Sequence, residues 1–130
     1  DYKRMKSNVM KEIKRIFRPE FLNRIDEILV FHPLDKEQMR KIVSMMCREL
    51  ARRAKDQLGI KLEIRDSVKS HIVETGTDKK YGARPLRRAV QNQLEDKLAE
   101  ALLNGEITRD SEVAVGMSKK EIKFIPKNTN

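Results

Sequence analysis

The amino-acid sequence predicts an α+β fold, in which amphipathic helices are combined with a few short strands. Apolar residues recur three or four positions apart over most of the 130 residues, which is the spacing that gives a helix one apolar face. Residues 60–64 instead alternate apolar and charged side chains, which is typical of a half-buried strand, and residues 112–117 predict a further strand with Val113 and Val115 on one side. A chain of this length can bury a core without disulfides or metals, and its single cysteine, Cys47, has no partner for an internal disulfide.

The first part of the chain predicts a helix, a short second helix and a strand. Residues 1–16 place one apolar stripe among lysines, made of Met5, Val9, Ile13 and Ile16. Pro19 suits the first turn of a short helix. Residues 25–31 predict a buried strand, because they form an apolar, β-branched run followed by His32-Pro33. This strand either pairs with later strands or has its sheet neighbours outside the chain.

The next helix has the clearest boundaries. Asp35 and Gln38 have the spacing of a capping box, and Gly59 is placed to end the helix after Leu58. Ile42 falls on the apolar face of this helix.

The second half of the chain predicts two more helices and a hairpin. Asp66 begins a short helix that ends at Gly76, and Pro85 opens a long helix that ends at Gly105. Residues 112–117 and 121–125 are then separated by a tight connection, so we expect them to pair as a hairpin.

The charge balance is strongly basic, with 29 Lys and Arg against 20 Asp and Glu. Clustered positive charge favours nucleic acid, but the charge is spread along the chain and only four Phe and two Tyr are available for base stacking. No apolar run approaches the length of a membrane span, and no signal sequence begins the chain. We therefore expect a soluble intracellular protein that binds neither nucleic acid nor membrane.

Motifs of a self-contained active site are missing from the sequence. It contains no glycine-rich phosphate loop of the type G-x-x-x-x-G-K-[ST], no G-x-S-x-G, and no His and Cys cluster with metal-ligand spacing. We predict no metal site.

Two arginines are better placed for chemistry. Arg84 directly precedes Pro85 at the start of the long helix, where it can contact a phosphate; the alternative is a surface arginine in a basic stretch. Arg24 follows the short helix, near the edge of the folded body, where it can reach a partner subunit. Its alternative is a salt bridge to Glu20, Asp26 or Glu27.

Two segments resemble a known family. They read Phe17-Arg-Pro-Glu-Phe-Leu-Asn-Arg-Ile-Asp-Glu27 and Tyr81-Gly-Ala-Arg-Pro-Leu-Arg-Arg-Ala89, and they are similar to the C-terminal part of the second AAA+ module of Clp/Hsp100 unfoldases. The resemblance implies that residues 1–34 are the end of the large AAA+ subdomain, with its last helix and strand. Residues 35–130 would then be the small lid subdomain, with helices packed on a three-stranded sheet.

The resemblance also implies roles for individual residues. Arg24 corresponds to the arginine finger, which acts on ATP bound to a neighbouring subunit. Arg84, with Gly82 and Ala83, corresponds to the sensor-2 motif, which contacts ATP in its own subunit. Ile42 is a weaker candidate for packing against adenine.

The parent implied by the resemblance is an ATP-driven, homohexameric protein unfoldase of the bacterial cytoplasm or the chloroplast stroma. ClpC, which delivers substrates to the ClpP peptidase, is the preferred type because of the Glu95-Asp96 pair and the Lys-Asn-Thr-Asn ending. A ClpB-type disaggregase is the alternative. The phosphate-binding loop, the carboxylates that hold Mg²⁺ and the ClpP-docking loop lie before residue 1 in this family, so we expect the chain to be a fragment that does not hydrolyse ATP alone. Apart from the resemblance, a basic binding module for nucleic acid or an acidic protein, and a standalone adaptor, stay open.

Overall fold

The computed structural model describes residues 2–14 and 16–127. These residues form an α+β structure of helices and one small sheet. The elements follow in the order α1 Tyr2–Lys14, α2 Pro19–Phe31, α3 Lys36–Leu58, β1 Lys61–Ile64, α4 Asp66–Thr75, α5 Leu86–Val90, a π-helical segment Gln91–Glu95, α6 Asp96–Leu103, β2 Glu112–Ser118 and β3 Glu121–Pro126.

Helix α3 is the longest element and packs against α4, α5 and β1. Its predicted capping box is confirmed. The backbone N–H of Gln38 donates to the Asp35 carboxylate at 2.8 Å, and the backbone N–H of Asp35 donates to the Gln38 side-chain oxygen at 3.0 Å. Gly59 ends the helix in the left-handed conformation, with φ of 67°.

The three predicted strands form one mixed sheet, in the order β1-β2-β3. β1 pairs with β2 in parallel, and β2 pairs with β3 as the predicted antiparallel hairpin. The hairpin turns at Lys119 and Lys120, which both have positive φ, as a two-residue turn of the primed type requires. The central strand β2 is buried from Val113 to Gly116, so the sheet packs against the helices.

The long helix predicted after Pro85 exists, but it is not a regular α-helix throughout. The π-helical segment separates α5 from α6, and both Leu94 and Glu95 in this segment are buried. A π turn rotates the faces of the two flanking helices relative to each other. α5 packs against α4, whereas α6 lies against α1.

The strand predicted at residues 25–31 is wrong, because this segment is the second half of helix α2. In the described part of the chain, the one sheet consists of β1, β2 and β3, and residues 25–31 do not pair with it. As an unpaired strand, this segment would leave its backbone N–H and C=O groups without hydrogen-bond partners. A helix satisfies these groups internally. It also places Ile25 and Leu29 on one face, where both are buried, while Val30 and Phe31 are 46% and 75% exposed.

Of the four residues in the apolar stripe predicted on α1, the structure describes the side chains of the first and the last. Met5 is exposed and Ile16, beyond the end of the helix, is fully buried. Val9 and Ile13 lie outside the described side chains. Among the described helices, none is both long and apolar enough to cross a lipid bilayer.

Gly76 allows α4 and α5 to approach closely. A Cβ atom at this position would lie 2.8 Å from the carbonyl oxygen of Ile72 and 2.9 Å from side-chain atoms of Leu86 and Ala89. Gly76 is the C-cap residue of α4, and its N–H donates to the Ile72 carbonyl at 2.7 Å, which is still a helical hydrogen bond. The contact between the two helices therefore depends on the missing side chain.

Replacing Gly76 with alanine is expected to destabilise the fold by about 1–3 kcal/mol, because backbone and packed side chains must move to admit the methyl group. Equilibrium urea unfolding of the chain measures this loss. Gly116→Ala is the matched control, since its new methyl group would meet mainly the movable side chain of Arg65. Equal stability of Gly76→Ala and the unsubstituted chain would show that this contact is not tight.

Candidate functional site

The loop between α4 and α5 is folded into a small hairpin that leads to Arg84. The Asp78 N–H donates to the Gly82 carbonyl at 3.0 Å, and the Gly82 N–H donates to the Asp78 carbonyl at 2.9 Å. The Asp78 carboxylate also accepts a hydrogen bond from the Tyr81 N–H. Gly82 has φ of 62°, a conformation that side chains with a Cβ adopt only with strain.

Arg84 follows this hairpin and directly precedes the turn into α5. Its N–H donates to the Tyr81 carbonyl at 3.2 Å, and the Leu86 N–H donates to the Ala83 carbonyl at 3.0 Å. Ala83 is buried and holds the backbone against the core, whereas Arg84 is exposed. Within the described residues, the Arg84 guanidinium has no hydrogen-bond or ion-pair partner. Its charge is therefore available to a ligand.

Arg84 lies between two cavities of different character. The larger one, of about 700 Å³, has an apolar wall that includes Leu29, Leu34 and Met39. Lys80 and Arg84 add positive charge to its lining. An apolar wall next to uncompensated positive charge fits a ligand with a flat apolar part and an anionic part.

The smaller cavity, of about 340 Å³, is strongly basic. It is lined by Arg84, Arg87, Arg88, Gln91 and a single acid, Asp26. Asp26 and Arg87 form an ion pair that joins α2 to α5. The Arg24 salt bridge to Asp26 that the sequence left open is thus not formed, because Asp26 is engaged by Arg87.

Arg24 lies on the solvent-facing side of α2. It is exposed, and within the described residues it forms no ion pair with Glu20, Glu27 or any other acid. It does not line either of the cavities that Arg84 lines. The structure therefore does not bring the two candidate arginines together into one site.

Ile42, the weaker candidate, is only 5% exposed and belongs to the hydrophobic core. Met39, almost one helical turn earlier, lines the larger cavity instead. Sequence reasoning missed Met39, although it falls on the same apolar stripe as Ile42. A contact between Ile42 and adenine stays a prediction.

The other chemically reactive side chains of the described residues do not assemble into a site. Burial raises the pKa of the Cys47 thiol to about 11, so this thiol is neutral at physiological pH. No group of His, Cys, Asp and Glu among the described residues has the arrangement of a metal site.

The class of protein follows from these features. The helices packed on a three-stranded mixed sheet form the small lid subdomain of an AAA+ protein, as predicted. The family is identified by residues 34–115, which match the model described as the C-terminal, D2-small domain, of ClpB protein. The chain belongs to this family and thereby to the ClpB/ClpC group of Hsp100 chaperone ATPases.

Relatives of both types resemble the chain. It is 49% identical over 120 residues to the chaperone protein ClpB of Oceanobacillus iheyensis. This alignment covers 92% of the chain and 15% of that protein. It is 46% identical over 129 residues to the negative regulator of genetic competence ClpC/MecB of Bacillus subtilis. This alignment covers 99% of the chain and 16% of that protein. It is also 44% identical over 124 residues to the ATP-dependent Clp protease ATP-binding subunit ClpC of Staphylococcus epidermidis, covering 95% of the chain and 15% of that protein. The chain thus spans about a sixth of the length of these relatives.

Replacing Gly82 tests whether its backbone conformation shapes the loop before Arg84. Gly82→Ala is expected to cost about 1–2 kcal/mol, because an L-residue is strained at this positive φ. Gly82→Asn is the matched control, since asparagine tolerates this conformation better and a Cβ atom at this position would have no other atom within 4 Å. Thermal unfolding of both variants measures the difference. Equal losses for alanine and asparagine would contradict a requirement for positive φ.

Proposed function

We propose that the chain supplies the lid and two ATP-directed arginines to the second ATPase module of a Clp/Hsp100 protein unfoldase. Residues 35–130 form the lid in this proposal, and residues 1–34 are the end of the preceding large subdomain. The observation that carries the proposal is the pair Arg24 and Arg84. Both are exposed and without partners in the described residues, yet they lie on different elements and do not share a cavity.

Arg84 is suited to contact ATP bound in its own subunit. It lies at the end of a hydrogen-bonded hairpin and is anchored by buried Ala83, so its backbone is held while its side chain extends into solvent. A guanidinium held in this way can bind a phosphate through two parallel hydrogen bonds. Because the hairpin is fixed to the lid, a contact between Arg84 and phosphate would couple nucleotide binding to the position of the lid.

Arg24 is suited to act on ATP in a neighbouring subunit of a homohexamer. Its side of α2 faces away from the core of its own chain, and its charge is not compensated by nearby acids. An arginine supplied to a transferring phosphoryl group stabilises the charge that develops in the transition state. This role requires a second subunit.

The chain by itself is expected to be catalytically inert. Its sequence has no phosphate-binding loop of the Walker A type, and the two arginines alone do not activate a water molecule. The phosphate-binding loop and the carboxylates that hold Mg²⁺ belong to the large subdomain in this proposal. Residues of the chain would therefore sense and stabilise ATP rather than hold it alone.

The parent is proposed to be of the ClpC type, with the ClpB type as the alternative. One relative is called an ATP-binding subunit of an ATP-dependent Clp protease, and another a chaperone, at similar levels of identity. A ClpC-type parent would pass unfolded proteins to ClpP in the cytoplasm or the stroma, whereas a ClpB-type parent would release them.

A nucleic-acid-binding module is less well supported. The basic cavity is its best candidate surface, but Asp26 compensates one of the three arginines there. In the proposed role Arg84 binds the phosphates of ATP, and this role would account for its exposed charge without a nucleic acid.

Arg24→Ala in the full-length hexamer is expected to lower ATP turnover about 10³-fold or more, because the charge in the transition state loses its partner. ATP affinity should change little, since this contact strengthens mainly in the transition state. Steady-state hydrolysis and equilibrium binding of a fluorescent ATP analogue measure the two effects. Arg18→Ala is the control, as Arg18 is exposed at the start of the same helix. Normal turnover in Arg24→Ala would refute the finger role.

Arg84→Ala in the same hexamer is expected to weaken ATP binding about 10-fold, the loss of one charge-assisted contact. The same two assays test it, with Lys79→Ala as the control for removing a positive charge from the same loop. If neither affinity nor turnover changes in Arg84→Ala, the sensor role is ruled out.

A further inference from the structure

Strand β3 forms an open edge of the sheet. The strand order is β1-β2-β3, so within the described residues β3 is paired on one side only. The Lys127 N–H donates to the Glu112 carbonyl at 2.9 Å, and hydrogen-bonded and non-hydrogen-bonded pairs alternate along an antiparallel ladder. The N–H and C=O groups of Ile122 and Phe124 therefore point away from β2. Among the described residues, their N–H groups have no hydrogen-bond partner.

A groove runs along this open edge. Its cavity has a volume of about 370 Å³ and is lined by all five residues from Lys120 to Phe124. Successive residues of a strand point to opposite faces, so a cavity that touches all five lies at the edge of the sheet and not on one face. The helical part of the lining includes Lys97, Ala101 and Asn104, which are three or four residues apart on one face of α6 and its C-cap. A helix face and an open strand edge thus lie side by side around the groove.

The groove is separate from the cavities beside Arg84. None of the residues in its lining lines either of those cavities. All of them lie between His71 and Phe124, so the groove does not depend on the placement of residues 1–34. A partner bound in the groove would leave the proposed ATP contacts free.

A second copy of the chain is a poor match for this edge. The antiparallel arrangement that pairs Ile122 with Phe124 of the second copy uses both outward N–H groups of each copy. It also places Lys123 directly opposite Lys123 of the second copy, and like charges in this position repel. Pro126, further along the edge, has no N–H to donate. Lysine and proline on an edge strand are typical barriers to self-association.

Lys123 instead matches an acidic residue in an added strand. Its ammonium group forms an ion pair with Glu121 at 3.2 Å, but the two side chains are 50% and 71% exposed. Ion pairs this exposed contribute little to stability, so an incoming carboxylate can compete for Lys123. The other charges of the lining are balanced, with two lysines and two glutamates, Lys97, Lys120, Glu100 and Glu106. Lys123 is therefore the charge that selects a partner.

We propose that the groove between β3 and α6 binds an extended segment of another protein, which adds to the sheet as a fourth strand. The segment carries an acidic residue opposite Lys123 and an apolar residue on each side of it. These apolar side chains point to the other face of the sheet, where Ile122 and Phe124 pack on the core and Ala101 is buried. Backbone hydrogen bonds to Ile122 and Phe124 supply affinity, and the side chains supply specificity.

The experiment uses the 130-residue chain and three fluorescein-labelled peptides. The first peptide reads Ser-Thr-Val-Asp-Val-Lys-Ser, which as an antiparallel strand places its Asp opposite Lys123 and its Lys opposite Glu121. The second has Lys in place of Asp. The third has N-methyl groups on both valines, which remove the N–H groups that face β3. Fluorescence anisotropy is expected to show about 10-fold weaker binding of the second and third peptides than of the first.

Charge reversal on the protein tests the role of Lys123. Lys123→Glu is expected to reverse the order of the first two peptides, so that the peptide with Lys in place of Asp binds more tightly. Lys61→Glu is the matched control, because Lys61 lies on β1 at the other edge of the sheet and does not line the groove. It should leave both affinities within about twofold. Both lysines are exposed, so both variants should fold.

Amide hydrogen exchange locates the bound peptide. The first peptide is expected to slow exchange of the Ile122 and Phe124 N–H groups, because these become hydrogen-bonded. Exchange at Lys123, whose N–H already faces β2, should change less.

Three results would overturn the proposal. One is the absence of binding of the first peptide up to about 1 mM, which would leave the edge as a merely protected one. Another is equal affinity of the first and the N-methylated peptides, because a strand cannot then be added. The third is a dimer of the chain, measured by sedimentation equilibrium, that protects the Ile122 and Phe124 N–H groups, because a second copy would then occupy the edge.

Discussion

The contact between α4 and α5 at Gly76 is the constraint on which the site depends. With no side chain at this position, the backbone that ends α4 lies against Leu86 and Ala89 at the start of the next helix. Gln93 adds a side-chain hydrogen bond of 2.7 Å to Thr75 on α4. Both ends of the intervening loop are therefore held by the core. The loop can then fold into its short hairpin and present Arg84 from a fixed base.

A second constraint sets the two candidate arginines apart. α2 is held to the lid by its buried residues Ile25 and Leu29 and by the pair of Asp26 with Arg87. These contacts use one side of the helix, which leaves Arg24 on the other. Arg84 stands beside the basic cavity, whereas Arg24 does not line it. The arrangement is compatible with the proposed roles, in which one arginine acts on the chain's own nucleotide and the other on the nucleotide of a neighbouring subunit.

The segment after Arg24 shows how far local pattern can mislead. Its β-branched, apolar residues favour a strand, but a strand is stable only when neighbours accept its backbone hydrogen bonds. The described residues provide no such neighbour, so the segment forms a helix that satisfies its own backbone and still buries Ile25 and Leu29. In the proposed full-length protein, the same residues would meet a different set of partners. Val30 and Phe31 at the end of α2 are apolar residues of the segment that stay exposed.

Local signals in the sequence determined most of the elements and the family. The capping box at Asp35, the glycine after Leu58 and the alternation in the strands act over a few residues, so they can be recognised without the fold. The motif around Arg84 likewise identified the lid. Only the tertiary structure decided the helical state of α2, the π turn before α6 and the pairing of Asp26 with Arg87. These three features arise from contacts between residues far apart in the chain, whose partners no local pattern can specify.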